Sequence, residues 1–252
     1  MKHFIGIGDS HLVALSDAWH ELAAERADSI RYTPMCLLEQ PYHPSFSDKD
    51  GVKVPNPAWV AALQQHLVPG ADVHIFLFIG GSEHYRWSLT PGPEPFDVFI
   101  PGDDNATTAA GQVIPFDLFM TFAQEKLRGL RVVVEFLRNF TALPLIQILP
   151  PPPIRDLAPM VAKLPELVRQ IGEYGVSPLP FRTKIWRATG MALQRTCADL
   201  RIECLGAPPG GISGQGCLPD EMVRDVVHAN IAWGRLQVRQ LLKRAGVAME
   251  TA

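Results

Sequence analysis

Basic charge in excess is the first thing this sequence lacks. Lys and Arg number 23 against 26 Asp and Glu in 252 residues, a formal net charge of −3. A nucleic-acid-binding surface needs clustered Lys and Arg, so that class is excluded, while small neutral substrates are left open. Cysteine is equally scarce. Cys36, Cys197, Cys204 and Cys217 show no CxxC spacing, which excludes a disulfide framework and fits idle or buried thiols in a reducing compartment. No apolar run is long enough to span a bilayer, and the amino terminus reaches Asp9 before a signal-peptide core could form. The expectation is a cytoplasmic protein without membrane contact.

What is present is core material. The chain is 47% hydrophobic and only 19% charged, which suits a large folded core and not a disordered chain. Short apolar runs bounded by Gly or Pro predict buried strands at Phe4–Ile7, Val73–Ile79, Leu143–Leu149 and Arg201–Leu205, with a weaker one at Ser29–Met35. Helical spacing between them predicts helices at Ser10–Ala24, Pro57–Leu67, Phe116–Phe140, Ile154–Tyr174, Phe181–Leu200 and Val227–Ala245. Strands alternating with helices imply one α/β domain over residues 1–252, with a parallel sheet of about five strands between helical layers. Right-handed crossovers then bring all carboxyl strand ends to one edge, where such sheets keep their sites. Two long stretches rich in Pro, Gly and Asp, residues 36–56 and 80–111, leave that edge as irregular loops and are expected to rim a site.

Two segments carry chemistry. Ile5-Gly6-Ile7-Gly8-Asp9-Ser10-His11-Leu12 is a buried strand running through a Gly turn into a helix. Asp and Ser are good helix N-caps, so the segment could merely start a helix. A serine there also sits beside backbone N–H groups able to bind an oxyanion. The other segment is Asp225-Val226-Val227-His228-Ala229-Asn230, just before the last amphipathic helix. A neutral imidazole can take a proton from a serine hydroxyl, while a carboxylate on its other nitrogen fixes the tautomer.

Gly8-Asp9-Ser10-His11 after the first strand, together with Asp225-x-x-His228-x-Asn230 before the last helix, closely resembles the SGNH/GDSL hydrolases. The order of elements and the strand ending in Pro150-Pro151-Pro152-Pro153 add to the likeness. The resemblance implies a flavodoxin-like α/β/α domain that hydrolyses or transfers acyl esters without metal or cofactor, on a small-molecule or carbohydrate ester. By position it implies Ser10 as nucleophile, His228 as general base and Asp225 as its orienting acid, with the Ser10 N–H as one oxyanion donor. Gly-Asp-Ser-His also resembles SGNH domains that acylate bacterial surface polysaccharides.

The chain departs from the family's pattern in two places. The loop after the second strand has no Gly until Gly51, and Phe78-Ile79-Gly80-Gly81-Ser82-Glu83-His84 puts Ser82 where the family has Asn. A hydroxyl donates one hydrogen bond, is shorter than a carboxamide and is less fixed in direction. Ser82 or the Gly81 N–H is then the expected second oxyanion donor, with Asp9 nearby. Glu83 and His84 read equally as residues on the site rim and as solvated groups at a loop start. Tyr85 and Trp87 are expected to be packing anchors, His20, His66 and His74 structural, and His43 within reach of the site. Two rivals stand beside the esterase: a non-catalytic binding domain on the same scaffold, and a metal-dependent phosphoesterase, for which Asp9-x-His11 and Gly81-Ser82-Glu83-His84 leave the ligand count short.

Overall fold

The computed structural model describes residues 1–25, 28–103, 111–157 and 165–247. Buried apolar runs become strands and amphipathic segments become helices, in alternation. The first half runs β1 (Lys2–Gly8), α1 (Leu12–Glu25), β2 (Ile30–Cys36), β3 (Phe46–Lys49), β4 (Val52–Pro55), α2 (Pro57–His66), β5 (Val73–Phe78) and α3 (Glu83–Ser88). After these come β6 (Phe96–Phe99), β7 (Gln112–Pro115), α4 (Phe116–Lys126), α5 (Arg128–Arg138) and β8 (Leu145–Ile148). The chain continues through α6 (Pro165–Tyr174), α7 (Leu179–Asp199), β9 (Glu203–Leu205) and α8 (Ile231–Arg244).

Five strands form one parallel sheet in the order β2-β1-β5-β8-β9. Period-two alternation divides their side chains between two cores. Phe4, Phe76, Phe78 and Ile148 face α1 and α8, where they pack with Leu15, Trp19 and Trp233. Ile5, Ile7, Ile75 and Leu77 face the other way and pack with Trp59 of α2, Val133 of α5 and Ile185 of α7. The result is a three-layer α/β/α arrangement. Full burial of one such side chain stabilises the fold by roughly 1.5–3 kcal/mol, so these two cores dominate its energetics.

The structure differs from several sequence expectations. The helix expected over Phe116–Phe140 is two helices, because Leu127 (φ −85°, ψ 6°) leaves helical geometry between them. Gly129 weakens propensity just beyond that point, and α4 packs on α7 and β7 while α5 covers the sheet. The last helix starts at Ile231 and not near Val227, since the Asn230 side chain accepts the Ala232 N–H at 2.9 Å and caps it there. Ile154 lies in an isolated bridge with Leu218, so the helix expected from there begins at Pro165 at the earliest described position; residues 158–164 lie outside the described ones.

The two stretches expected to be irregular are partly ordered. Residues 36–56 hold the antiparallel hairpin β3–β4. Its turn is Asp50-Gly51, with φ of 55° and 80°, the left-handed pair that a two-residue hairpin requires. Residues 80–103 hold α3 and β6, and β6 pairs in parallel with β7. A buried ion pair, Lys184 Nζ to Asp97 Oδ1 at 3.0 Å, ties β6 to α7.

Candidate active site

Ser10 lies between β1 and α1, at the carboxyl end of the sheet's second strand. Strand β1 can end so close to β5 because Gly8 has no side chain. A Cβ there would lie 2.6 Å from the Phe78 carbonyl oxygen. The Asp9 N–H donates to that same Phe78 oxygen at 3.1 Å. The turn is therefore held by β5 before α1 begins.

His228 and Asp225 come from a short loop closed by the Val223–Ala229 bridge, immediately ahead of α8. Its folding brings the two ends of the chain together. His228 Nε2 lies 2.9 Å from Ser10 Oγ, and His228 Nδ1 lies 2.8 and 2.9 Å from the two oxygens of Asp225. With Asp225 ionised, the Nδ1–H donates to the carboxylate and Nε2 is left to accept from the serine hydroxyl. Asp225 Oδ1 also accepts the backbone N–H groups of Val227 and His228, each at 3.0 Å. Partial burial pushes the Asp225 carboxyl up, but the His228 ring and those N–H donors outweigh burial and hold it down at about 2. At neutral pH it is a carboxylate.

Asp9 points away from this line. Its Oδ1 accepts the His11 N–H and its Oδ2 the Gly80 N–H, both at 3.2 Å. Burial raises the Asp9 carboxyl, with the N–H groups of His11, Gly81 and Gly80 and the nearby His228 opposing. Asp9 thus ties the loop after β1 to the loop after β5. Ser82 ends that loop as the half-buried residue preceding α3, and its side chain makes no capping bond to the helix. Glu83 is half-buried in the first turn.

His84 fits neither sequence reading, because it is fully buried. It borders, with Gly80, Leu127 and Leu193, a void of about 10 Å³ inside the fold. The reason is α3, which turns residues 84, 85 and 88 inward. Tyr85 is buried, and Trp87 packs on Phe119 and Phe122, both as anchors. The residue whose place sequence reasoning missed is His11. Its ring is buried against His228, with centroids 4.7 Å apart. Its position directly after Ser10, at the start of an inward-facing helical turn, was the available signal.

No family model and no curated protein matches the sequence. Solved structures do. The periplasmic domain of a lipopolysaccharide acetyltransferase from Salmonella ser. Paratyphi A aligns with a TM-score of 0.54 at 13% identity, over 97% of this chain and 84% of that one. This chain has an SGNH-hydrolase-like fold. An extracellular lipase from Streptomyces rimosus aligns at 0.49 and 13% identity, over 97% of this chain and 100% of that one. An acetyl-xylooligosaccharide esterase from Geobacillus Stearmophilus aligns at 0.43 and 12%, over 98% and 97%.

On this SGNH-like framework a cleft of about 710 Å³ opens beside Asp9. Leu37, Ile79 and Val133 give it an apolar wall, and Arg128 and Gly129 come from the start of α5. The β3–β4 hairpin adds Lys53, paired at 3.0 Å with Asp48, and His43 joins the lining from the loop before it. The two stretches expected to rim a site thus meet the cleft through the first of them. Among the described residues, no group of three or more His, Cys, Asp or Glu could hold a metal ion. None of the described helices is long and apolar enough to cross a membrane.

Proposed function

We propose that this protein is a serine-dependent acyl ester hydrolase or acyltransferase working through an acyl-enzyme. One observation carries the reading: Ser10 Oγ, His228 and Asp225 lie in a continuous hydrogen-bonded line. Ser10 Oγ attacks the ester carbonyl carbon while its proton passes to His228 Nε2, and Asp225 stabilises the resulting imidazolium. The imidazolium then protonates the leaving alkoxide, leaving the acyl group on Ser10. Water or a sugar hydroxyl gives its proton to His228 and attacks the acyl carbon; the bond from that carbon to Ser10 Oγ then breaks, and the imidazolium returns the proton to Oγ.

The developing oxyanion needs preorganised donors. The Ser10 N–H at the start of α1 is one. Gly81 and Ser82 are both candidates for the second; the Ser82 hydroxyl makes no capping bond to α3 and stands free to turn to the oxyanion. We therefore assign the role to the Ser82 hydroxyl, with Glu83 beside it. A short acyl group on a carbohydrate or other small ester is the substrate class. The 710 Å³ cleft would hold the alcohol portion, and the named activity of the Salmonella neighbour lends support.

The test is a fluorophosphonate probe with a panel of nitrophenyl esters and acetylated sugars. Native protein should be labelled at Ser10 and hydrolyse short esters. Ser10→Ala should lose both, with stability changed by no more than the roughly 0.5–1.5 kcal/mol of one hydrogen bond. Labelling that persists in Ser10→Ala would move the nucleophile elsewhere. Native protein that is neither labelled nor active, yet binds acetylated sugars, would favour a non-catalytic domain.

A further inference from the structure

His11 is a buried imidazole in contact with His228 that acyl transfer does not use. Its ring lies against His228 on one side, with centroids 4.7 Å apart and planes at 51°, and against Phe78 at 5.4 Å. Its far edge fills the space beside Gly81, where a Cβ would lie 2.6 Å from His11 Cδ2 and 3.1 Å from Nε2. Its backbone N–H is anchored on Asp9. A single ring therefore touches the residue bearing the base and the loop ending in Ser82.

We propose, on the serine-esterase reading above, that His11 is a positioning residue that sets both the His228 ring and the Gly80–Ser82 loop. The hydrogen bonds at Nδ1 and Nε2 hold two points of the His228 ring and leave it free to rotate about the line through them. A flat, close-packed partner resists that rotation. Burial, and then the nearby His228, hold the His11 ring down at about 3, with Asp225 opposing. The ring stays uncharged while His228 gains and loses its proton, so it adds no repulsion to the imidazolium. A second buried imidazole, His84, lies close behind and is also held well below its ordinary value by burial. The His11 Nε2 has no hydrogen-bond partner among the described residues. Leaving a buried polar atom unmatched costs stability, a cost that an apolar residue serving only as core would avoid.

The experiment compares native protein with His11→Leu and His11→Phe. Leu is nearer to His in volume but has no flat face; Phe keeps the face at larger volume. Fluorophosphonate labelling rate, kcat and KM are measured, with thermal melts confirming folding. Misplacing a base by about an ångström costs up to ~100-fold. His11→Leu should therefore lower kcat and labelling rate together by ten- to a hundredfold, with KM little changed, and His11→Phe should recover most of that loss. A role in packing alone reverses the order, with Leu at least as active as Phe, and that result overturns the proposal. Gly81→Ala pushes on the same ring from its other edge and covers the case in which His11→Leu fails to fold. It should slow labelling in the same way, and labelling at the native rate overturns the proposal. Native protein that is not labelled at Ser10 overturns the serine reading itself, and this role with it.

Discussion

Asp225 stands under two opposed influences, and their balance fixes the sign of a pH effect. Burial alone would raise its carboxyl, yet the His228 ring and two backbone N–H groups hold it at about 2, below the ordinary 3.8. A depressed folded value means the unfolded chain binds the proton first as pH falls. The stabilisation is therefore complete above about pH 4 and is lost as pH drops towards 2. Asp225→Asn should show a smaller fall in melting temperature across that window than native protein, and equal falls would show that the contacts do not persist in solution. The same variant leaves His228 Nδ1 without a carboxylate, and turnover should drop on the order of 10⁴-fold at neutral pH. Residues of this kind were legible in the sequence because Ser10, Asp225 and His228 sit at element ends, where the chain pattern places them on one edge. His11 and His84 were not legible in the same way. Whether a histidine is a solvated group or a buried ring depends on its neighbours in space, and α3, which buries His84, was unforeseen.

The spacing of Ser10 and His228, the proposed nucleophile and base, is expected to depend on two helices. Ser10 leads into α1 and the His228 loop leads into α8, and these helices cross at Gly234, where a Cβ would lie 2.0 Å from the Ala14 carbonyl oxygen. That oxygen is backbone and cannot rotate aside. Gly234→Ala should therefore force the helices apart, lowering stability by about 1–3 kcal/mol as overpacking does. It should also slow fluorophosphonate labelling of Ser10 at temperatures well below the melt. Normal labelling in a destabilised variant would mean that the loops, and not the helix crossing, set the Ser10–His228 distance. At this scale the sequence was legible wherever hydrophobic period and strand length agreed. The sheet strands and α1, α2 and α7 fall within a few residues of expectation. The failures have local causes. The Asp50-Gly51 hairpin was passed over because β3 and β4 are mostly exposed and lack an apolar run. The break at Leu127 carries no Pro, only Gly129 two residues on.

Across the whole molecule, the sheet separates the helices next to the Ser10–His228–Asp225 line from those that wall the cleft. α1 and α8 lie on one face, while α5 and the β3–β4 hairpin meet over the other side of Asp9. The parallel sheet and its shared carboxyl edge were readable in the sequence, but the cleft beside Asp9 was not, because the hairpin forming one wall was unseen. That division yields a test of what the cleft holds. Gly129 lines it from the second residue of α5, and a Cβ there would meet nothing within 4 Å. A side chain added at this point enters open space in the cleft and strains no neighbour. Gly129→Ala should raise stability by up to about 1 kcal/mol, since Gly is the poorer helix former, which for a chain of this size is a melting shift of roughly 2–4 °C. Gly129→Trp keeps that helical advantage but fills part of the 710 Å³. If the alcohol portion of the ester occupies the cleft, KM should rise in Gly129→Trp by a factor that grows from nitrophenyl acetate to acetylated oligosaccharides. Gly129→Ala should show no such trend. A Gly129→Trp enzyme whose KM is uniform along that series would place the alcohol outside this cleft, on the α3 side of Ser10, where Ser82 and Glu83 would then contact it.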